Sequence, residues 1–145
     1  MGDKQKMKKR AFILCARPVS AGEMEAEGFR NGVDMLIAAD AGLENARKLG
    51  LAPQAAIGDF DSCVQPSDFG GELLVYPKRK DSTDAMLAVQ YCLKAGIKDI
   101  VLMGALGGRL DHTFANLQLL AFLESIGARG LISGEGVRCR IISGV

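Results

Sequence analysis

Apolar runs of strand length recur along this chain, and they are nearly continuous rather than alternating. They occupy residues 11–16, 34–39, 55–58, 72–76 and 99–103, with a weaker one at 130–133. A strand with one wet face alternates polar and apolar side chains, whereas a strand covered on both faces does not. The runs therefore predict strands buried between two layers of helix. Helix-like segments lie between them. Residues 41–49 carry Leu43, Ala46 and Leu49 at three-residue spacing and stop at Gly50, a residue suited to the left-handed turn that ends a helix. Residues 82–95 carry Met86, Val89 and Leu93 on one stripe and stop before Gly96. Residues 113–126 are apolar nearly all round, which predicts cover from the sheet and from a second subunit. Strands alternating with helices predict an α/β fold: an open, mostly parallel sheet with flanking helices, Rossmann-like in its three layers.

Two stretches depart from this pattern. Residues 62–71 show no helical period, only Pro66, Ser67, Asp68 and two glycines. They read as a loop, so the strands they join are not expected to be simple parallel neighbours. The last stretch opens on Gly134 and Gly136, then alternates Val137, Cys139 and Ile141 with Arg138 and Arg140. That pattern predicts a half-buried strand over 137–142. It reads as the first strand of a truncated all-β domain, which divides the chain into an α/β domain at 1–133 and the start of a second domain at 134–145.

Length and charge narrow the function. The 145 residues suit about one domain. Eighteen Lys and Arg oppose seventeen Asp and Glu, leaving +1, so no basic excess points to nucleic acid. No apolar run approaches the roughly 20 residues that span a bilayer, so no membrane partner is expected. The basic residues 1–10 precede only six apolar ones before Arg17-Pro18, too few for a signal peptide. Four cysteines without a CxxC pair predict reduced thiols and a cytoplasmic protein. One histidine without ligand spacing argues against zinc.

The chemistry-bearing residues fall just after the predicted strands, where an open α/β sheet keeps its ligand crevice. Asp40 follows the second strand and Gly58-Asp59-Phe60-Asp61-Ser62 the third. Lys80-Asp81-Ser82-Thr83-Asp84 follows the fourth, and Gly104 begins a glycine-rich segment after the fifth that runs through Arg109, Asp111 and His112. Asp59 and Asp61 share a side if the backbone is extended, and two close carboxylates call for a cation such as Mg²⁺. An exposed turn with two solvated aspartates is the alternative. Asp81 suits a helix N-cap and Asp84 the capping-box position, while Lys78 and Lys80 offer point charges to phosphate. Gly107-Gly108 lets backbone approach a ligand, Arg109 offers a planar fork, and Asp111 is placed to cap the next helix. His112 is a structural hydrogen-bonder or an acid–base group, and Asn116, one turn on, faces the crevice or a polar patch. There is no GxxxxGK[ST], no GxGxxG after the first strand and no GxSxG.

Together these segments resemble the catalytic domain of the thiamine pyrophosphokinase (thiamine diphosphokinase) family. The carriers are Ala39-Asp40-Ala41-Gly42, Ile57-Gly58-Asp59-Phe60-Asp61-Ser62, Tyr76-Pro77 with Lys80-Asp81-Ser82-Thr83-Asp84, and Gly104 to His112 with Asn116. The resemblance implies a Mg²⁺-dependent enzyme that moves the pyrophosphoryl group of ATP onto thiamine, giving thiamine diphosphate and AMP, and a homodimer. It assigns the metal to Asp59, Asp61 and Asp84. Asp40, Asp81, Arg109 and Asp111 then line the same cleft, with Lys80, Thr83, Gly104 and His112 placed for the nucleotide. The family also carries an all-β domain that supplies part of the thiamine pocket, and residue 145 falls where that domain begins. Two other readings compete. One is a Mg²⁺ carboxylate phosphotransferase or phosphatase with Asp59 as nucleophile. The other is a non-catalytic nucleotide- or thiamine-binding module.

Overall fold

The computed structural model describes residues 10–59, 69–76, 83–108 and 110–142. Its first strand, β1 (Ala11–Leu14), is buried at every position. Phe12 and Leu14 face one way and Ala11 and Ile13 the other, as the two-residue period of a strand requires. Helices α1 (Ala21–Ala26) and α2 (Gly42–Leu49) cover the first face through Met24 and Ala46. Helices α3 (Asp84–Lys94) and α4 (Leu110–Ser125) cover the second through Val89, Cys92, Leu120 and Leu123. This double cover is why the run of β1 is continuous.

The remaining strands are β2 (Met35–Ala39), β3 (Ala55–Gly58), β4 (Glu72–Val75), β5 (Asp99–Met103), β6 (Arg129–Gly134) and β7 (Val137–Cys139). They form one sheet in the order β4-β3-β2-β1-β5-β6-β7. The first six are parallel, and β7 runs antiparallel to β6 with Ser133 opposite Arg138. From β1 the chain winds outward to β4, then returns to lay β5 against the other side of β1. The expected three-layer, mostly parallel fold is therefore present.

Several local expectations need correction. The run at 72–76 is not buried on both faces: β4 is the edge strand, with Glu72, Leu73 and Val75 exposed and Leu74 half-buried. The strands flanking 62–71 are parallel neighbours after all, with Ala55 opposite Glu72 and Gly58 opposite Val75. Parallel pairing needs a crossover of about a dozen residues, not a helix as such, and 59–71 supplies that length. Residues 60–68 lie outside the described part. Helix α1 has too little apolar periodicity to stand out, with Met24 its one buried residue. Its signal is the capping box instead: Ser20 Oγ accepts from the Glu23 N–H at 3.1 Å, and Glu23 accepts from the Ser20 N–H at 2.8 Å. The terminal strand is shorter than the predicted 137–142 and adds to the α/β sheet itself, whose β6 supplies its hydrogen-bonding partners.

Glu27, at the end of α1, ties this helix to the far edge of the sheet. Its carboxylate accepts from Ser133 Oγ at 2.6 Å and from Arg138 Nε at 2.9 Å. Burial alone would raise its pKa. The hydrogen bonds from Ser133 and Arg138, with the charges of Arg138 and Arg10, outweigh burial and hold the carboxyl below its ordinary 4.5. A depressed carboxylate stabilises the fold above its unfolded pKa, and that stability is lost as pH falls through the folded value. The melting temperature of Glu27→Gln should thus fall less steeply than that of the unsubstituted chain below about pH 4.5, and thermal melts across pH 3–6 read the difference. Parallel curves would remove the linkage.

Candidate functional site

A cleft of about 620 Å³ opens where β1 and β5 lie side by side. This is the point at which the chain's winding reverses, and the carboxyl ends of the two strands diverge there to leave a crevice. The β1–α1 connection forms its floor. Cys15 N–H donates to Met103 O at 2.7 Å, and Arg17 N–H donates to Gly104 O at 3.0 Å. From α2, the buried Asn45 donates both protons of Nδ2, to the carbonyls of Cys15 and Arg17, each at 2.7 Å. Gly104 has φ +77°, and a Cβ there would sit 2.5 Å from the Arg17 carbonyl oxygen. The connection is thus clamped between α2 and the end of β5.

The acidic residues arrive from other strands. Asp40 ends β2 in the left-handed region with φ 49°, an uncommon conformation for a residue with a side chain. It is kept there by its N–H donating to Ile57 O at 2.7 Å and its carbonyl accepting from the Leu43 N–H at 3.1 Å. Its carboxylate lies against Gly58, where a Cβ would be 2.9 Å from Oδ1. Asp59 follows Gly58 directly. Asp84 is the first residue of α3, and Thr83 is the N-cap, its Oγ1 accepting from the Met86 N–H at 3.1 Å. The threonine therefore takes the capping role expected of Asp81. It leaves Asp84 in the first turn, where the helix dipole favours a negative charge.

The cleft is lined by Asp40, Asp59, Thr83, Asp84, Gly104 and His112 among the sequence-predicted residues. Asp111 lies in the first turn of α4 rather than capping it, and accepts from the His112 N–H at 2.9 Å. It is not part of the cleft wall. Asn116 is, and its Nδ2 donates to Ala105 O at 3.1 Å, tying α4 to the loop after β5. Asp61, Lys80, Asp81 and Arg109 fall outside the described residues, as does Lys78. Sequence reasoning passes over Arg17, which it treats as a break in an apolar run. Its position directly after the first strand is the signal that finds it.

The donor chemistry suits a hard cation. The walls carry carboxylates, yet among the described residues no three His, Cys, Asp or Glu side chains are grouped to hold an ion alone. Mg²⁺ needs less than that, since it keeps waters and commonly takes one or two carboxylates plus substrate phosphates. The cleft fits an ion that is shared with a phosphorylated ligand. Cys15 borders the cleft with its thiol kept protonated. Burial, and then the negative charge of Asp84, push its thiol up to about 12.

Comparison with known proteins gives a consistent result. Residues 27–127 match the family model described as thiamin pyrophosphokinase, catalytic domain. The chain is 35% identical over 98 residues to thiamine pyrophosphokinase of Bacillus subtilis, covering 64% of this chain and 46% of that protein. It is 35% identical over 80 residues to thiamin pyrophosphokinase 1 of Caenorhabditis elegans, covering 50% of this chain and 33% of that one. The crystal structure of the Bacillus subtilis protein superposes with a TM-score of 0.73 at 24% identity, over 88% of this chain and 61% of that one. The yeast enzyme superposes at 0.67 with 12% identity, covering 89% and 59%, a likeness of fold alone. The chain thus spans less than half the length of the curated relatives it matches.

Two outcomes follow from the clamp. In the folded chain at pH 8, Cys15 should resist iodoacetamide and react only after unfolding, as peptide mapping would read; rapid native labelling would contradict its burial. Asn45→Ala strands two carbonyls and should cost about 1–3 kcal/mol, measured by urea denaturation.

Proposed function

Because the chain belongs to the thiamin pyrophosphokinase family, which it matches through the catalytic domain, we propose that it binds Mg-ATP in this cleft and serves transfer of the pyrophosphoryl group to thiamine. The observation that carries the reading is the set of carboxylates, Asp40, Asp59 and Asp84, that three separate elements contribute to one crevice at the reversal of the sheet. In this reading the thiamine hydroxyl oxygen bonds to the β-phosphorus. The bond from that phosphorus to the oxygen bridging the α-phosphorus breaks, and AMP leaves with the electron pair. The hydroxyl proton passes to a carboxylate, Asp81 or Asp84.

Such a transfer is accelerated mainly by positioning and by neutralising charge. Asp59, Asp61 and Asp84 would hold Mg²⁺, which supplies charge neutralisation on the phosphate oxygens when bound. Lys80 and Arg109 meet the phosphates, and the N–H groups at the start of α3 add a favourable dipole. Thr83, Gly104 and His112 border the nucleotide, with Asp40 beside them. The carboxylates also suit thiamine, whose thiazolium ring is a cation. The same reading makes the protein a cytoplasmic homodimer. In its support, α4 leaves Leu110 and Phe114 71% and 59% exposed at its start, an apolar surface that a second copy would cover.

The full chain with Mg²⁺, ATP and thiamine should release AMP in a coupled assay. Asp59→Asn should lower turnover by about a hundredfold or more with an unchanged melting temperature. Wild-type turnover in that variant would remove Asp59 from the metal site. Binding of Mg-ATP with no AMP released would favour a binding module. Sedimentation velocity should find a dimer, and a monomer at all concentrations would remove that part.

A further inference from the structure

Arg17 borders the cleft together with three carboxylates, Asp40, Asp59 and Asp84. Arg10 and Arg30 pair with Asp34, Arg47 with Glu44, and Arg138 with Glu27. No carboxylate among the described residues engages the Arg17 guanidinium in this way. Its backbone, by contrast, is fixed at both polar atoms. The N–H donates to Gly104 O and the carbonyl accepts from Asn45 Nδ2. The following Pro18 confines it further to extended conformations. The side chain then runs over Gly108, where a Cβ would lie 3.3 Å from Arg17 Cδ and 3.7 Å from Cγ. The glycine after β5 thus leaves a track for the arginine after β1, and the two meet across the point where the sheet reverses.

We propose that Arg17 is a phosphate-contacting, affinity-determining residue, carried by a pinned backbone and aimed along Gly108 into the cleft. The inference rests on the reading that the cleft takes Mg-ATP. A polyphosphate in this cleft carries several negative charges of its own. A guanidinium adds a permanent positive charge and a planar pair of donors matched to phosphate oxygens. Because its main chain is already ordered, binding restricts only its side chain. A cation on a floppy loop would lose more freedom for the same contact.

Calorimetric titration of the full chain with Mg-ATP, and displacement of Mg-ATP by adenosine, test this directly. Arg17→Ala should weaken Mg-ATP about tenfold or more and leave the adenosine constant unchanged. Arg17→Lys should fall between, since it keeps the charge but not the fork. Gly108→Ala, which crowds the arginine stem, should weaken Mg-ATP in the same direction. Salt should weaken Mg-ATP binding less in Arg17→Ala than in the unsubstituted chain. Unchanged Mg-ATP affinity in Arg17→Ala, or an equal loss for adenosine, would overturn the proposal while the nucleotide site stands. An unsubstituted chain that does not bind Mg-ATP would instead remove the functional reading, and the role of Arg17 with it.

Discussion

The site depends on how closely backbone meets backbone at the carboxyl ends of β1 and β5. A Cβ on Gly42 would fall on the Leu14 carbonyl oxygen, and one on Gly104 would crowd that of Arg17. Both contacts are backbone against backbone, so neither can be relieved by a side chain swinging aside. Asn45 completes the interlock by satisfying two carbonyls that would otherwise lose water without gaining a partner. The consequence is a connection with little freedom, lying where strands part and a ligand has room. Rigidity and concavity come from the same few contacts.

Charge is arranged on this frame with a clear division. The structural ion pairs, Arg10 and Arg30 on the buried Asp34 and Arg138 on Glu27, lie away from the cleft wall and close the molecule around its sheet. The cleft gathers carboxylates from just after β2, just after β3 and the start of α3, one of them on a residue with positive φ. A residue kept in a rarely populated conformation implies surroundings that over-determine it, here the Ile57 carbonyl, the start of α2 and the side-chain space left by Gly58. Several carboxylates around one cleft favour a cation there. That is the physical reason to join the acidic wall, a divalent ion and an anionic substrate in one account.

Much of the fold was legible because local sequence and long-range packing agree. β1 and β5 are apolar at most positions since both faces are covered, and Gly50 and Gly96 mark helix ends by conformational tolerance. Helix α1 was not legible by periodicity, because a helix with a single buried side chain has no apolar stripe. The neighbouring of β3 and β4 was hidden for another reason: a crossover without helical pattern carries no local sign of where it returns. Thr83 displaced Asp81 as the cap, because several oxygen-bearing residues in a row can each cap and tertiary position chooses among them. Asp40, Asp59 and Asp84 could be nominated from their places after strands; Arg17 shares that placement, but the contacts that pin it, to Gly108 and Asn45, are distant in sequence.

By itself the amino-acid order determined that the inner strands are buried on both faces, that the sheet is mostly parallel, and which carboxylates stand at strand ends. Those features follow from side-chain hydrophobicity and backbone preference within a few residues. Only the tertiary structure decided the order β4-β3-β2-β1-β5-β6-β7, and with it where the winding reverses and which strand ends face one crevice. That order is set by packing among segments far apart along the chain, where no short stretch carries the information.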